Sequence, residues 1–198
     1  MINKEFYNIK FDSDEELHFA YYLEELKDKG FIKSWDKNID PLELTDGILW
    51  KYKYLSKNGV KTKTQNLMRS SVYTYDWNIY WEEKAHGIFV TELDEVDMPK
   101  ISTPFVSQGN ISRVETKGDF DKNNMTRLAI NNIKFIWYRH SIFISLIKVP
   151  TIFKETFTPR RYLTTDRTRR MRRLKYGEVR TLSTFVKLME DPDLQDDY

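Results

Sequence analysis

Residues 72–81 constrain the fold of this chain more than any other stretch, since their sequence is Val-Tyr-Thr-Tyr-Asp-Trp-Asn-Ile-Tyr-Trp. Aromatic and β-branched residues at this density are typical of a strand, so the chain is expected to contain a sheet. Asp76 is the exception, because aspartate is disfavoured inside strands and is costly to bury without a partner. It is expected to lie at a bulge, to pair with an arginine, or to belong to a functional site.

The composition excludes several classes of protein. With 198 residues, 40% of them hydrophobic, the chain is long enough for one substantial core and too apolar for general disorder. The 31% of charged residues, and the lack of an apolar run near about 20 residues, argue against a membrane protein. There is no cysteine for a thiolate zinc site, and the three histidines show no ligand spacing. Together with an N-terminus that lacks a signal peptide's apolar segment, this predicts a reducing cytosol.

Local patterns predict the order of the elements. Ser13 is a candidate N-cap with Glu16 as the matching capping-box acid, and Gly30 is a candidate helix stop. In the first part of the chain we expect a helix over 13–29, strands over 31–38 and 42–55, a hairpin turn at 57–59 and the strand 72–81. A loop or insertion over 82–110 follows, with a candidate short strand at 87–92. After it we expect a strand over 111–117, a polar turn at 119–124, a helix over 125–139, a strand over 141–149 and a short helix over 182–190. This order predicts an α/β fold with a mixed central sheet flanked by helices.

The pentapeptide 114–118, Val-Glu-Thr-Lys-Gly, places a carboxylate and an ammonium group two residues apart on a predicted strand. Side chains at i and i+2 leave the same face of a strand, so Glu115 and Lys117 are expected to point into one space. An ordinary surface ion pair is one interpretation. A metal site with an adjacent water is the other, and a further acid on a neighbouring strand would favour it.

Asp76 supplies such an acid. Mg²⁺ prefers carboxylate oxygens and waters in octahedral geometry, so Asp76 and Glu115 on neighbouring strands can bind it, with the backbone carbonyl of Thr116 as another oxygen. Lys117 can then orient the attacking water or stabilise charge on a phosphate. This constellation predicts a metal-dependent nuclease site.

The pattern resembles the PD-(D/E)xK nuclease superfamily, in which an acid on one strand is followed by Glu-x-Lys on the next. Here the motif consists of Asp76 and then Glu115-Thr116-Lys117. The resemblance implies a restriction-endonuclease-like core with the order α-β-β-β-α-β. That core is expected over residues 1–150, with an insertion around 82–110.

The start of the first predicted helix, Phe-Asp-Ser-Asp-Glu-Glu at 11–16, resembles that of small phage members of the superfamily. In those proteins a helical glutamate joins the site, which makes Glu16 the candidate here, unless it serves only the helix cap. The resemblance implies a phage-encoded DNA endonuclease that uses Mg²⁺ or Mn²⁺ and works in the host cytoplasm. Branched DNA such as a Holliday junction and ordinary duplex are equal candidates as substrate, and a homodimer is the candidate assembly because small resolvases with this core act as dimers.

A basic segment follows the predicted core, within a C-terminal extension over 151–198. Between 160 and 175 the one acid is Asp166, and the basic residues are Arg160, Arg161, Arg167, Arg169, Arg170, Arg172, Arg173 and Lys175. Guanidinium groups suit phosphate oxygens, so this segment is predicted to bind nucleic acid without reading its sequence. A solvated arginine-rich helix, or an arm that binds another subunit, is the alternative.

Two other functions stay open at this point. A non-catalytic nucleic-acid-binding or virion protein can retain a nuclease-like fold and bind through the basic segment. A nuclease subunit of a larger complex, such as a transposase, would act only with its partner.

Overall fold

The computed structural model describes residues 5–6, 9–93, 103–118, 125–163 and 179–191. The helices are α1 (Asp14–Asp28), α2 (Met125–His140), α3 (Val149–Glu155), α4 (Arg160–Leu163) and α5 (Leu182–Glu190). The strands are β1 (Glu5–Phe6), β2 (Ile9–Lys10), β3 (Ile32–Lys37), β4 (Leu42–Thr45), β5 (Ile48–Ser56), β6 (Gly59–Met68), β7 (Ser71–Tyr73), β8 (Trp77–Trp81), β9 (Val90–Glu92), β10 (Phe105–Ser107), β11 (Ile111–Lys117) and β12 (Ile144–Lys148). Within these ranges no helix has the length and apolar character needed to cross a membrane.

The central sheet has four strands in the order β12-β11-β8-β3. The strand β8 is antiparallel to both of its neighbours, whereas β11 and β12 are parallel. Parallel neighbours need a crossover connection, and α2 lies in the chain between these two strands. The prediction of an α/β fold with a mixed central sheet flanked by helices is confirmed.

The main core lies between α1 and the sheet. Phe19 and Tyr22 on the helix are fully buried, and so is Trp77 on β8, whose ring centroid lies 5.7 Å from that of Phe19. The ring of Tyr22 also stacks on Phe157, with the centroids 4.4 Å apart. Phe157, which follows the predicted division at residue 150, belongs to the same buried cluster, and the division itself stays a prediction.

The ends of α1 follow the predicted signals. The Ser13 hydroxyl accepts a hydrogen bond from the backbone N–H of Glu16 at 3.1 Å, which satisfies one of the free donors of the first turn. Gly30 has φ +69°, a left-handed conformation that glycine adopts without the cost of a Cβ atom. The cap and the stop that the sequence predicts are both confirmed.

The predicted continuous strand over 72–81 is wrong. The chain forms two strands, β7 and β8, and these pair with different partners, β4 for the first and both β3 and β11 for the second. Asp76 lies in the gap immediately before β8. Its carboxylate takes the backbone N–H of Thr116, a donor on the paired strand, so a side chain here competes with the regular ladder.

The predicted strand over 42–55 also divides, into β4 and β5, with Asp46 and Gly47 between them. Asp46 is held by the guanidinium of Arg139 on α2, at 2.7 Å, so β4 stays against the body of the protein. Beyond Gly47 the chain continues into a long hairpin made of β5 and β6. The turn predicted at 57–59 is confirmed as the tip of this hairpin.

The prediction that regular structure fades over 82–110 is only partly correct. The strand β9 falls within the predicted short strand at 87–92, but β10 was not expected, and the two pair in parallel. Phe89 and Phe105 from this stretch are fully buried in the main core. Residues 94–102 and the predicted turn at 119–124 lie outside the described residues.

Candidate metal centre

Asp76 is held between the two strands that neighbour β8. Its backbone N–H donates to the carbonyl of Val114 on β11 at 3.0 Å, and its carbonyl accepts from Asn38, just after β3, at 2.8 Å. These two bonds fix the backbone of Asp76 although the residue itself precedes the strand. Asp76, whose residue type is disfavoured in a regular strand, is therefore fixed by hydrogen bonds to the strands on either side of β8.

Thr116 orients the carboxylate of Asp76. Its backbone N–H and its hydroxyl both donate to Asp76 Oδ2, at 2.7 and 2.6 Å. The same hydroxyl accepts from the indole N–H of the buried Trp77 at 3.5 Å. Both hydrogen bonds from Thr116 are to Oδ2, so Oδ1 of Asp76 receives neither of them. Thr116 thus has a positioning role that the sequence interpretation missed, and the predicted use of its backbone carbonyl stays a prediction.

Glu115 and Lys117 do leave the same face of β11, and the pair is not an ordinary surface ion pair. Glu115 is 5% exposed, and the Lys117 ammonium donates to its Oε1. The other oxygen, Oε2, is buried and accepts no hydrogen bond of good geometry among the described residues, although the Tyr73 hydroxyl interacts with the Glu115 carboxylate. The hydroxyl of Tyr73 is likewise buried without a hydrogen bond of good geometry there. Burial raises the pKa of this phenol, and its interaction with the Glu115 carboxylate raises it further. A buried carboxylate oxygen whose neighbouring hydroxyl is poorly aligned is incompletely satisfied, and a bound cation would satisfy it.

The carboxylates of the buried Glu115 and the half-buried Asp76 are electrostatic neighbours. Burial raises the pKa of Glu115 above its usual range and the charge of Asp76 adds to the rise, while Lys117 opposes both. Burial likewise raises the pKa of Asp76, against the hydrogen bonds from Thr116, and the charge of Glu16 adds to the rise. Carboxylates that disfavour each other's ionised form are stabilised when a divalent cation lies between them.

Glu16 lies near this site but is engaged elsewhere. Its Oε2 forms a 2.8 Å ion pair with Lys37 on β3, and its Oε1 accepts from the Ser13 hydroxyl at 3.3 Å. Burial alone would lower the pKa of Lys37, but its bonds to Glu16 and Asp12 outweigh burial and raise it. Glu16 thus bonds to the cap residue Ser13 and acts electrostatically on Asp76, and its predicted role in the metal site stays a prediction.

Lys37 was missed from the sequence, although one signal pointed to it. It is the last residue of β3 and is the register partner of Trp77, one position after Asp76. A lysine at the end of the strand that neighbours the acid-bearing strand is placed to reach the same edge of the sheet. The position of Lys37 in the sequence becomes informative only when the pairing of β3 with β8 is known, and that pairing is non-local.

Gly118 brings the start of α1 close to the end of β11. A Cβ atom at Gly118 would lie 2.8 Å from Oε1 of Glu15, so the glycine leaves room for this side chain. Glu15 is therefore a further acid beside the Glu-x-Lys strand, and it was not among the predicted site residues.

The donor set fits a hard divalent cation with few protein ligands. Asp76 and Glu115 provide carboxylate oxygens, one of them Oε2 of Glu115, which accepts no hydrogen bond of good geometry among the described residues. Across the described ranges, no group of three or more histidine, cysteine, aspartate or glutamate side chains is arranged to hold a metal ion. Mg²⁺ suits such a pair, because it keeps several waters and commonly uses only one or two carboxylates.

Two residues of the predicted basic segment are described. Arg160 donates its backbone N–H to Glu25 at 2.7 Å, and the Arg161 guanidinium lies 5.2 Å from the centroid of the Tyr21 ring on α1. The remaining basic residues of the prediction, Arg167, Arg169, Arg170, Arg172, Arg173 and Lys175, lie outside the described residues. Nucleic-acid binding by this segment stays a prediction.

Comparisons of the chain with family models, with curated proteins and with solved structures give no match. Its function is therefore inferred from the geometry of the carboxylate site, defined by Asp76, Glu115, Thr116 and Lys117.

Proposed function

We propose that this protein is a Mg²⁺-dependent DNA endonuclease with a restriction-endonuclease-like core. The observation that carries the proposal is a pair of neighbouring carboxylates: the buried Glu115, whose Oε2 is incompletely satisfied, and the half-buried Asp76 just before the neighbouring strand β8. The element order α1, β3, β8, β11, α2, β12 supports it, because this is the order that the resemblance to PD-(D/E)xK nucleases implies.

Asp76 and Glu115 bind the metal in this proposal. When bound, Mg²⁺ supplies a Lewis acid that stabilises negative charge on a phosphodiester and makes a nearby water more acidic. Thr116 holds Oδ2 of Asp76 through two short hydrogen bonds, so the carboxylate is oriented before any ligand arrives. Such preorganisation avoids a reorganisation cost during the reaction.

Lys117 acts beside the metal. Its ammonium is anchored on Oε1 of Glu115, and its side chain remains 24% exposed, so it can meet a substrate at the edge of the site. A fixed positive charge there orients the attacking water or stabilises the charge that develops on the phosphate. Lys37 holds Glu16 in the same neighbourhood and keeps this third carboxylate from being an unpaired buried charge.

Cleavage of supercoiled plasmid and of a four-way junction tests the proposal. The full chain is expected to cut at least one of them with Mg²⁺ or Mn²⁺ and to be silent in EDTA. Glu115→Gln is expected to lower the cleavage rate by about 100-fold or more, since it removes a metal ligand's charge. Glu24→Gln is the matched control, because Glu24 is a half-buried acid on α1 bonded to Trp35 and should leave cleavage unchanged.

The proposal fails if Glu115→Gln or Lys117→Ala cuts like the unaltered protein while circular dichroism shows both folded. Preference for the four-way junction over linear duplex of the same sequence would identify branched DNA as the substrate. Equal rates on both would identify ordinary duplex. A homodimer, expected for a junction resolvase, is measured by light scattering on the same samples.

A non-catalytic nucleic-acid-binding or virion protein is the second candidate. The observation that favours it is the commitment of Glu16 to Lys37, which leaves two carboxylates at the site rather than three. It predicts salt-sensitive DNA binding and no cutting with any divalent metal.

A further inference from the structure

The hairpin of β5 and β6, here called the arm, extends from the body of the protein as a two-stranded ribbon. It is closed by the two-residue turn Lys57-Asn58, which is followed by Gly59 with φ +100°, and the Ser56 hydroxyl donates to the carbonyl of Gly59 at 3.0 Å. Strands of nine and ten residues make a ribbon about 30 Å long. Nearly all of its residues are exposed, so its surface is available on both faces.

The charged side chains of the arm are all positive. From residue 48 to residue 75 the sequence contains no aspartate or glutamate. The basic residues in the same range are Lys51, Lys53, Lys57, Lys61, Lys63 and Arg69. The chain as a whole has a net charge of only +2, so this stretch is markedly more basic than the average of the sequence. A ribbon with this charge is complementary to a polyanion.

One face of the arm combines rings with lysines. Trp50, Tyr52 and Tyr54 alternate along β5 and therefore share a face, with centroid distances of 4.8 Å for the first pair and 6.3 Å for the second. The register places Lys63 opposite Tyr52 and Lys61 opposite Tyr54, so these two lysines share that face. Trp50 is 52% exposed and Tyr54 is 42% exposed.

The opposite face lacks this combination. It presents Lys51 and Lys53, which are paired across the hairpin with Thr64 and Thr62. Both faces are basic, but the row of rings lies on only one of them. Variants of the two faces therefore allow binding by lysines alone to be compared with binding by lysines and aromatic rings together.

We propose that the aromatic face of the arm binds single-stranded nucleic acid. Unpaired bases stack on Trp50, Tyr52 and Tyr54, while Lys61 and Lys63 contact the phosphates beside them. A duplex would offer phosphates but keep its bases stacked internally, so it cannot use the rings in this way. A second copy of the chain fits less well, because two such faces would bring four lysines together around the rings.

This site is separate from the carboxylate site and does not depend on cleavage. Binding is therefore measured in EDTA, where the proposed nuclease is silent, by fluorescence anisotropy of a labelled oligo(dT) of about 20 nucleotides. The full chain is expected to bind it more tightly than a duplex of equal length. Trp50→Ala combined with Tyr54→Ala is expected to weaken oligo(dT) binding by at least about tenfold, since two stacking surfaces are removed.

Leu55→Ala is the matched control for an exposed apolar side chain. Leu55 is 82% exposed and lies on the opposite face, paired with Val60. It is expected to leave oligo(dT) affinity within about twofold of the unaltered protein. All arm variants should keep the thermal unfolding midpoint of the unaltered protein, because the substituted side chains are exposed.

A pair of lysine variants separates stacking from charge. One double variant, Lys61→Gln with Lys63→Gln, removes two charges from the aromatic face. The other, Lys51→Gln with Lys53→Gln, removes two charges from the opposite face. The variant that lacks Lys61 and Lys63 is expected to weaken binding more and to reduce the slope of log Kd against log salt by about 1.4, which is about 0.7 for each lost phosphate contact. Trp50 fluorescence, isolated as the signal lost in Trp50→Phe, is expected to be quenched by oligo(dT).

Three results would overturn the proposal. Unchanged oligo(dT) affinity in the double aromatic variant would remove the stacking platform. Equal or tighter binding of duplex would indicate a phosphate surface without stacking. A shift from dimer to monomer in the aromatic variant, with nucleic-acid affinity unchanged, would assign the face to a second copy of the chain. Loss of plasmid cleavage alone would bear on the carboxylate site and leave the arm intact.

Discussion

The carboxylate site and the arm are built in opposite ways. The site draws on α1, β3, the segment before β8, and β11, and its side chains are buried or half-buried and held by contacts between residues distant in the chain. The arm is one continuous stretch whose strands pair mainly with each other, and its aromatic and basic side chains face solvent. The site needs the whole fold before its geometry exists, whereas the arm needs only a hairpin.

This difference separates preorganised chemistry from adaptable binding. At the site, Thr116 and Lys117 fix two carboxylates that would otherwise disfavour each other. In the arm, an isolated two-stranded hairpin is only marginally stable in water, so a ligand that covers it also stabilises it. Variants in the two regions should therefore affect different measurements.

Stability should show the largest contrast between the two regions. Phe157 is fully buried against Tyr22, and Phe157→Ala is expected to lower the free energy of unfolding by about 3–5 kcal/mol because it leaves a cavity. Trp50→Ala in the arm is expected to lower it by less than about 1 kcal/mol. Urea unfolding followed by circular dichroism measures both. A comparable loss for Trp50→Ala would mean that the arm packs on the core.

Thr116 offers the next contrast, in metal use. Thr116→Val removes the hydroxyl that donates to Asp76 Oδ2, and the Mg²⁺ concentration needed for half-maximal cleavage is expected to rise about 10-fold. Thr116→Ser retains the hydroxyl and should restore the original requirement. Thr64→Val in the arm controls for the same substitution on an exposed strand. If Ser and Val behave alike at position 116, the hydroxyl does not orient the carboxylate.

The pH dependence of stability should give the smallest effect. The pKa values of Glu115 and Asp76 are raised by burial and by neighbouring carboxylates, so the folded state binds their protons more tightly than the unfolded state. Without divalent metal, the contribution of these groups to stability is expected to fall as the pH rises from about 4 through the raised values.

Thermal unfolding from about pH 4 to pH 8 measures this contribution. Glu115→Gln should flatten the decline, because the amide does not ionise, and Mg²⁺ should oppose it most at the higher pH. Glu24→Gln serves again as the matched control. A decline that is identical in Glu115→Gln and the unaltered protein would contradict the assignment of the effect to this site.

Local signals predicted the parts of the fold that depend on neighbouring residues in the chain. Ser13 and Gly30 delimit α1, the turn at 57–59 forms the tip of the arm, and α5 has the predicted bounds. The face shared by Glu115 and Lys117 followed from the period of a strand. Each of these features is determined within a few residues.

The sequence did not reveal features that depend on tertiary pairing. The break at Asp76 arises because its carboxylate takes a donor from β11, and the ion pair of Glu16 with Lys37 joins α1 to β3. The parallel pairing of β9 with β10 is equally non-local. The exposed rings of the arm were also missed, since alternating aromatics in a strand are as typical of a core as of a binding face.

Diffraction from crystals of the full chain soaked with Mn²⁺ tests the central claim most directly. The account predicts anomalous density between the carboxylates of Asp76 and Glu115, with Oε2 of Glu115 as a ligand, and no such density in Glu115→Gln crystals. Mn²⁺ bound only elsewhere, with no metal ion on Oε2 at a Mn²⁺ concentration that supports cleavage, would contradict this claim.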